Sequence, residues 1–391
     1  MQSFAILGSH PELSLAEIEA VTGQKPSLHL GGVAIFDEGL ENSEVLMDKL
    51  GGTQKIGAII ATVPSLNHDE MAEFLAADLL ESNPEGKITF GVSVYTFGNE
   101  KPLESTKSLV DSMAIAVKQR IKQAERSARY VHSKELALGS PVILGNQLIT
   151  KGAEFVLLMA NDLIWIGKTM SVQPFDAWST RDFGRPRRNA KQGMLPPKLA
   201  RMMLNLAGDV AGKTVIDPFC GSGTVLMEAT MLHAAKLIGG DIAQMAVNDT
   251  DINMKWLGEQ DVEVPTYELF TSPAAELATK LPEHEIDILV AETYLGRPRR
   301  GEESQEDVQS TIDYLTNLYK ESFGSLHRSL REGAMLVIAA PVHEFEGKRY
   351  EIDVIGTMTD LGYTHMPTSY EPLVYQHEGQ LVGRRILRFR A

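Results

Sequence analysis

The chain has 391 residues, of which 43% are hydrophobic and 23% are charged, and its net charge is −15 at neutral pH. This length predicts two or three domains, and the composition is typical of a globular protein that buries sizeable cores. One cysteine excludes a disulfide framework and a thiolate metal cluster, and the histidines lack ligand-like spacing, so we predict no bound metal. No secretory signal and no apolar run long enough to cross a bilayer is found, so we expect a cytoplasmic protein without membrane contact.

The acidic net charge argues against a nucleic-acid partner, but the charges are unevenly distributed. Residues 101–134 hold eight Lys and Arg against three acids, and residues 181–201 hold seven against one. Basic stripes of this kind bind polyanions, although solvated helix faces often have the same composition. The charge pattern alone leaves both interpretations open.

The first part of the chain mixes short apolar runs with amphipathic helices, which predicts an α+β module over residues 1–165. A helix with a Ser14–Glu17 capping box is expected near the start, and another begins at Asn67. The run "SPVILGN", residues 140–146, is interpreted as a strand. No nucleotide-binding glycine loop interrupts these elements, so the cofactor chemistry is expected elsewhere.

The second part of the chain has a different rhythm. Residues 166–195 contain prolines, glycines and charges without a sustained period, which indicates a linker. Strand and helix then alternate from Lys213 onward, which is typical of a doubly wound parallel sheet, and we assign the second domain to residues 196–391. Two strands around "HEGQLVG" predict a hairpin at the edge of that sheet.

The strongest motif is "VIDPFCGSGTVLMEA", residues 215–229, in which an apolar strand enters Asp217, a glycine turn and a helix. Glycines let the backbone approach a ligand closely, and open α/β sheets bind ligands at the carboxyl ends of their strands. Asp241 ends the next strand, where its carboxylate can accept both ribose hydroxyls of a nucleoside. Asp217 is placed to bind the amino-acid portion of a ligand that also carries a nucleoside, directly or through water. A ligand with both parts is S-adenosylmethionine (SAM), which the pattern therefore predicts. The predicted cofactor-binding residues are Asp217, Pro218, Phe219, Gly221, Gly223, Thr224, Asp241 and Ile242.

Three further segments accompany "DPFCGSGT" in a fixed order: "LGGTQKIG", "FGVSVY" and "RDFGRPRRNAKQGMLPPKLARMMLNLA". With these segments the chain resembles the archaeal-type tRNA guanosine N2-methyltransferases over nearly its whole length. The resemblance implies a THUMP-like RNA-binding module followed by a Rossmann-like class I SAM-dependent methyltransferase domain. It also implies guanosine 10 of tRNA as the substrate and leaves open whether a small activating protein partner is needed.

The acceptor loop departs from that family, which carries Asp-Pro-Pro-Tyr after the fourth strand. Here the letters are Glu292-Thr293-Tyr294-Leu295. The resemblance implies Glu292 as the acceptor of hydrogen bonds from the exocyclic amine, and Tyr294 as a stacking ring one residue early. Three interpretations stay open: an active variant, an RNA-binding relative without activity, and an enzyme with a changed acceptor base. A DNA or protein amino-methyltransferase is disfavoured by the THUMP-like start.

Basic residues near these parts are interpreted as RNA contacts, with solvated loops as the alternative for any one of them. They are expected to hold phosphates around a nucleotide that leaves its stack. The predicted RNA-binding residues are Arg126, Arg129, Lys134, Arg185, Arg187, Arg188, Lys191, Arg297, Arg299 and Arg300.

Overall fold

The chain forms two compact units that do not follow a single cut in the sequence. The computed structural model describes residues 1–64, 67–97, 104–160, 163–188, 194–296 and 303–391. The first unit consists of Met1–Pro11, Gln24–Asp48 and Thr53–Phe175, and the second of Glu12–Gly23, Lys49–Gly52 and Asp176–Ala391.

The boundary between the units differs from the predicted linker at 166–195. A strand runs without a break over Ile164–Val172 in the first unit, so the linker segment begins later than expected. Its β-branched and apolar residues favour a strand, and the prolines and charges that indicate a linker lie beyond it. Two short N-terminal segments also belong to the second unit, a connection that local sequence patterns do not reveal.

The first unit is built on an eight-stranded mixed sheet with the order β2-β3-β1-β4-β8-β7-β5-β6. Strands β5 and β7 are parallel, as are β5 and β6, whereas the other neighbours are antiparallel. The strands are β1 (Ser3–Leu7), β2 (Leu28–Leu30), β3 (Val33–Phe36), β4 (Thr53–Val63), β5 (Ile88–Thr96), β6 (Ala128–Tyr130), β7 (Gly152–Met159) and β8 (Ile164–Val172). The mixture of strands and helices is the α+β arrangement expected from the sequence.

Helices follow the early strands of the chain. They are α1 (Pro11–Thr22), α2 (Ser43–Lys49), α3 (His68–Ser82), α4 (Glu104–Gln123) and α5 (Ser140–Gly145). The predicted start of α3 is confirmed, because the Asn67 side chain accepts hydrogen bonds from the backbone of Asp69 and Glu70. The strand predicted at "SPVILGN" is wrong. Pro141 lies in the first turn of α5, where its fixed φ favours a helix and its missing N–H costs nothing.

The predicted capping box at Ser14 and Glu17 is also wrong, because α1 begins three residues earlier, at Pro11. Both side chains instead bind other segments of the second unit, to which they belong, and the Ser14 hydroxyl donates to the Gly52 carbonyl at 2.8 Å. The Glu17 carboxylate accepts hydrogen bonds from the backbone N–H groups of Gly51 and Gly52, each at 2.8 Å, and from the Asn205 amide at 2.7 Å. These contacts fix α1 and the segment Lys49–Gly52 within the second unit.

A buried ion pair crosses the sheet of the first unit. Lys55 on β4 donates to Glu154 on β7 at 2.5 Å, and both side chains are buried. Ser93 and Thr169, on the neighbouring strands β5 and β8, donate to the two oxygens of the same carboxylate at 2.5 Å. Burial lowers the pKa of Lys55, and the Glu154 carboxylate opposes that shift. The pair therefore depends on both of its members.

Replacing Glu154 with alanine is expected to lower the free energy of unfolding of the first unit by about 3 kcal/mol, because it leaves a buried ammonium group unpaired. Exchanging both partners for apolar residues, Lys55→Met with Glu154→Leu, is expected to recover most of that loss. The matched control is Asp78→Ala, which breaks the Lys168–Asp78 pair, whose side chains are each 23% exposed, and is expected to cost less than about 1 kcal/mol. Urea unfolding of the full chain, followed by circular dichroism, measures all three values. If Glu154→Ala lowered the free energy of unfolding no more than Asp78→Ala does, burial would not increase the cost of breaking the Lys55–Glu154 pair.

The second unit is built on a nine-stranded sheet with the order β11-β10-β9-β12-β13-β17-β15, with β14 paired to β13 and β16 to β17. Strands β9 to β13 are parallel, and β17 runs antiparallel to β13. The strands are β9 (Thr214–Asp217), β10 (Lys236–Asp241), β11 (Thr266–Thr271), β12 (Ile286–Glu292), β13 (Leu330–Phe345), β14 (Lys348–Glu351), β15 (Thr364–His365), β16 (Leu373–Tyr375) and β17 (Val382–Arg390). The pairing of β16 with β17 confirms the predicted edge hairpin.

Helices cover both faces of this sheet. They are α6 (Phe175–Ser179), α7 (Pro197–Leu206), α8 (Thr224–Met231), α9 (Gln244–Gly258), α10 (Ala274–Leu277), α11 (Gln305–Leu326) and α12 (Val354–Asp360). Side chains of α1, α7, α8 and α9 pack with Val215 and Val290, whereas those of α10, α11 and α12 pack with Ile216 and Leu289. Neighbouring residues of one strand thus face opposite layers, as strand geometry requires. Among the described residues, no helix is both long enough and apolar enough to cross a membrane.

Candidate active site

The loop between β9 and α8 begins at Asp217, which is 3% exposed. Its Oδ1 accepts a hydrogen bond from the Phe219 backbone N–H at 3.0 Å. Burial raises the pKa of Asp217 well above its usual range, and the nearby carboxylates of Asp241 and Glu292 raise the pKa further. A cation at this position would relieve that crowding of negative charge.

Two glycines of the loop have left-handed backbone conformations, Gly221 at φ +54° and Gly223 at φ +84°. A Cβ atom on Gly223 would meet the Thr250 side chain at 2.9 Å, so the loop packs tightly against α9 there. A Cβ on Gly221 would meet no heavy atom within 4 Å. The loop therefore faces open space at Gly221, where a side chain on the backbone would intrude on a ligand.

Asp241, at the carboxyl end of β10, faces the glycine loop. Its Oδ2 accepts a hydrogen bond from the Gly221 N–H at 3.0 Å, and its Oδ1 accepts one from the Ala243 N–H at 2.8 Å. Each oxygen has a second lone pair for a further donor. Ile242 follows directly and is 74% exposed. A carboxylate beside an exposed apolar side chain fits the ribose and base of a nucleoside, so these residues fit SAM.

The other predicted cofactor residues have supporting positions. Pro218 is buried, and Phe219 is half-buried against the core. Thr224, the first residue of α8, is also buried, and its hydroxyl accepts a hydrogen bond from the Arg185 guanidinium at 2.7 Å. The structure therefore brings all eight predicted residues to one edge of the sheet, with Pro218 and Thr224 turned into the protein.

Glu292 lies at the carboxyl end of β12, beside the end of β9. Its Oε1 accepts a hydrogen bond from Nε of Arg384, a buried residue of β17, and the two side chains form an ion pair. Burial raises the pKa of Glu292, and Arg384 opposes that shift. Sequence patterns did not identify Arg384, because it lies 92 residues from Glu292 and ordinary strand letters surround it.

The acceptor loop alternates between buried and exposed side chains. Thr293 is buried, and its hydroxyl is 2.5 Å from the Tyr319 hydroxyl. Tyr294 is 44% exposed, and its ring meets the ring of Tyr314 edge-on with centroids 6.3 Å apart. Gly296 has φ +89°, and a Cβ there would lie 2.9 Å from the Thr311 side chain. The loop thus keeps an exposed aromatic side chain two residues after the carboxylate.

Three carboxylates therefore end three adjacent strands: Asp241 on β10, Asp217 on β9 and Glu292 on β12. The chain passes from β9 to β10 on one side, and β12 lies on the other side of β9. A reversal of strand order of this kind opens a crevice at the carboxyl ends of the strands, where open α/β sheets bind ligands. At this edge the strand order therefore predicts a ligand crevice between the carboxylates of Asp217 and Asp241 and the acceptor loop.

One predicted RNA contact is corrected by the structure, and a second has its donors directed at the backbone of its own unit. Arg185 is 3% exposed and is bound to Thr224, so its guanidinium is not presented to a phosphate. Arg126 directs its donors at the backbone carbonyls of Asn83, Pro84 and Gly86, at 2.7–2.8 Å. Arg126 is partly exposed and stays a predicted RNA contact, whereas sequence alone does not separate the buried Arg185 from a surface cation.

The remaining RNA candidates lie at the surface or outside the described part of the chain. Arg129 and Lys134 are exposed in the first unit. In the second unit, Arg187 lies 3.5 Å from Asp249, and Arg188 stacks 4.5 Å from the ring centroid of Phe183, a residue 64% exposed. The candidates outside the described residues are Lys191, Arg297, Arg299 and Arg300. Over the described residues, no three potential ligands gather in a metal-binding group.

Parts of the chain match known protein families. Residues 185–351 match the family described as RMKL-like, methyltransferase domain, and residues 100–251 match one described as DNA methylase. The first of these regions contains the glycine loop, all three carboxylates of the strand ends and the acceptor loop. Its description agrees with the layout of the crevice.

Two curated relatives named tRNA (guanine(10)-N2)-dimethyltransferase are similar to part of the chain. The one from Methanothermobacter thermautotrophicus is 34% identical over 151 residues, which are 38% of this chain and 39% of that protein. The one from Methanocaldococcus jannaschii is 32% identical over 132 residues, which are 33% of this chain and 36% of that protein. The matches thus span less than two fifths of the length of either relative.

Solved structures share the fold over almost the full chain. TrmN from Thermus thermophilus has a TM-score of 0.58 and 16% identity, over 100% of this chain and 99% of that one. A Listeria monocytogenes protein described as a predicted N6-adenine-specific DNA methylase has a TM-score of 0.52 and 14% identity, over 98% and 95% of the two chains. These likenesses and the strand order show a Rossmann-like fold in the second unit, and the family match over residues 185–351 identifies that region as similar to a methyltransferase domain.

Proposed function

We propose that this chain is a SAM-dependent tRNA methyltransferase that modifies the exocyclic N2 amine of a guanosine, at position 10 by similarity to the named relatives. The observation that carries the proposal is the group of strand ends at the strand-order reversal. It places two carboxylates and a glycine loop suited to SAM beside a third carboxylate on a loop with an exposed aromatic ring. A tRNA substrate is consistent with a cytoplasmic location.

The cofactor half of the crevice is assigned to residues of β9, β10 and the loop. Asp241 holds the ribose hydroxyls, the exposed side chain of Ile242 covers one face of the adenine, and Gly221 allows the backbone to approach. Asp217 faces the positively charged amino-acid portion, which relieves the negative charge crowded at this edge. SAM supplies a methyl group made electrophilic by the attached sulfonium.

The acceptor half is assigned to Glu292 and Tyr294. Arg384 binds Oε1 of Glu292, and we assign Oε2 to the guanine amine. An ionised carboxylate there accepts a hydrogen bond from the amine, which turns the nitrogen lone pair toward the methyl group. When the bond between nitrogen and the methyl forms, the bond between the methyl and sulfur breaks, its electron pair stays on sulfur, and S-adenosylhomocysteine is the leaving group. The Glu292 carboxylate takes the proton that the nitrogen loses. Much of the rate enhancement then comes from orientation, as in other reactions between two bound partners. The exposed ring of Tyr294 stacks on the base.

The remaining part of the proposal is how the RNA is held. The first unit is proposed as a THUMP-like module that binds tRNA by shape and backbone charge, with Arg129 and Lys134 as exposed cations. In the second unit, Arg188 on the exposed ring of Phe183 offers a flat cationic surface to an unstacked nucleotide. Arg187 adds a cation next to it, partly balanced by Asp249.

The test is nucleoside mass spectrometry of tRNA treated with the purified protein and labelled SAM. We expect methyl incorporation into guanosine as N2-methylguanosine, N2,N2-dimethylguanosine or both, with the site mapped by nuclease digestion to position 10. Transcripts in which guanosine 10 is replaced by adenosine serve as the control and are expected to accept no label. Incorporation into adenosine or cytidine would overturn the assignment of the acceptor base.

A second candidate function is an RNA-binding protein that has kept SAM affinity without transferring methyl groups. The ion pair between Glu292 and Arg384 favours this alternative, because it occupies one oxygen of the proposed acceptor. Tight tRNA and SAM binding with no label in any nucleoside, under conditions in which both ligands saturate the protein, would support it over the enzyme.

A further inference from the structure

Helix α9 fixes the backbone of the glycine loop through two buried side chains one turn apart. The Thr250 hydroxyl donates to the Gly221 carbonyl at 2.9 Å, and the Asn253 amide donates to the Ser222 carbonyl at 2.8 Å. Both side chains are fully buried. Two consecutive carbonyls of the loop are thereby directed at α9.

Asn253 also binds a second segment of backbone. Its Nδ2 donates to the Arg187 carbonyl at 2.9 Å, and its Oδ1 accepts from the Arg187 N–H at 2.9 Å. One side-chain amide thus joins the glycine loop to the arginine-bearing segment that precedes α7. Such a pair of hydrogen bonds to one residue imitates a backbone pairing and fixes both position and orientation.

The same segment is attached along α8 as well. Arg185 donates to Thr224 at 2.7 Å, and Arg181 donates to Glu228 at 2.7 Å. Arg181 and Arg185 are four residues apart in the chain, and so are their partners Glu228 and Thr224. The segment therefore runs alongside α8 for about one helical turn. The glycine loop therefore lies between two supports: α9 behind it and the segment Arg181–Arg187 beside it.

We propose that Asn253 is a positioning residue of the cofactor site and that the segment Arg181–Arg187, through it, forms part of the wall of that site. The inference rests on the proposed SAM site. Removal of the buried Asn253 amide leaves the Ser222 carbonyl and both backbone groups of Arg187, at part-buried positions, without that partner. The peptide groups of the loop then turn toward other partners, and the conformation that approaches the ligand becomes less populated.

The experiment measures the affinity of the full chain for S-adenosylhomocysteine, the product of SAM, by calorimetry without RNA. We expect Asn253→Ala to weaken that affinity about tenfold, which corresponds to about 1.4 kcal/mol. The matched control is Asn248→Ala, an exposed asparagine on the same helix that binds the Gln244 side chain, and its affinity is expected to stay within about twofold of the native chain. Thr250→Val, which keeps the volume and loses the hydrogen bond to Gly221, is expected to follow Asn253→Ala.

Steady-state kinetics separate positioning from general damage. We expect KM for SAM to rise in Asn253→Ala while kcat on saturating tRNA and KM for tRNA change by less than about threefold. If Asn253→Ala does not fold, as judged by thermal unfolding, Thr250→Val decides the matter. A folded Thr250→Val or Asn253→Ala variant with native affinity overturns the inference. A native chain that binds S-adenosylhomocysteine but methylates no tRNA refutes the proposed enzyme and leaves this inference testable on the binding data.

Discussion

Asp241→Ala is expected to weaken SAM binding by about a thousandfold, because one carboxylate serves both the loop and the ligand. It accepts hydrogen bonds from the N–H groups of Gly221 and Ala243, and its remaining lone pairs are assigned to the ribose hydroxyls. Hydrogen bonds to a charged group contribute about 1.5–3 kcal/mol each, and two of them account for the expected loss. Calorimetry with S-adenosylhomocysteine measures it directly.

The matched control for this substitution is Asp251→Ala, on the neighbouring helix α9. Asp251 binds Lys255 and Tyr267 at the surface, and we expect its loss to leave cofactor affinity within about twofold of the native value. Asp241→Asn keeps the shape and one acceptor oxygen, so an intermediate affinity is expected. Native affinity in a folded Asp241→Ala chain would show that the nucleoside lies elsewhere.

The sequence allowed the cofactor half of the site to be predicted because it depends on chain order. Asp217 and Asp241 end successive strands of a parallel sheet, and successive parallel strands bring their carboxyl ends to one edge. Gly221 and Gly223 indicate positive-φ backbone conformations, which other residues rarely adopt. These signals lie within about 25 residues of each other and need no knowledge of distant packing.

The acceptor half was only partly predictable, since its chemistry depends on contacts across the sheet. The position of Glu292 follows from the end of a strand, but the ion pair with Arg384 joins β12 to β17, which are separated by β13 in the sheet. The same limit explains Arg185, whose sequence context predicts a surface cation and whose guanidinium is buried against Thr224. The ion-pair or hydrogen-bond partner of a charged side chain cannot be identified from the local sequence.

The boundaries of the elements show a similar division. The apolar residues Val142, Ile143 and Leu144 favour a strand by composition, yet Pro141 and Gly139 at the start of the run specify the short helix α5. Local backbone constraints outweighed side-chain preference there. The inclusion of α1 in the second unit depends on Glu17, whose carboxylate binds residues 34, 35 and 188 positions away in the sequence.

The charge of Glu292 decides whether it can serve the guanine amine. A carboxylate accepts hydrogen bonds through both oxygens, whereas a protonated carboxyl presents a donor as well. Burial raises the pKa of Glu292 and Arg384 lowers it, so the ion pair keeps the group ionised at a lower pH than burial alone would allow. Activity should therefore fall as the pH decreases through the raised pKa of Glu292. Loss of Arg384 should move that fall to higher pH.

Glu292→Gln is expected to lower kcat for tRNA methylation by about 10²–10³-fold, because an amide neither accepts through both atoms nor takes a proton from the amine. The affinity for S-adenosylhomocysteine should change little, since Asp241 and the glycine loop are untouched. The control is Glu285→Gln, an exposed residue just before the amino end of β12, which is expected to be indistinguishable from the native chain. Single-turnover rates with saturating tRNA, measured across a pH series, give both the amplitude and the position of the acid limb.

Arg384→Gln removes the positive charge beside Glu292 and keeps a polar side chain there, so it tests the effect of that charge on Glu292. If Glu292 acts as an ionised acceptor, this variant retains activity at high pH and loses it at a higher pH than the native chain does, because the opposing cation is gone. A native acid limb in Arg384→Gln, or a Glu292→Gln chain that methylates tRNA at the native rate, would mean that another group holds the amine. The acceptor of the amine would then be a backbone carbonyl of the loop. Only the carboxylates of Asp217 and Asp241 would keep an assigned role, in binding the cofactor.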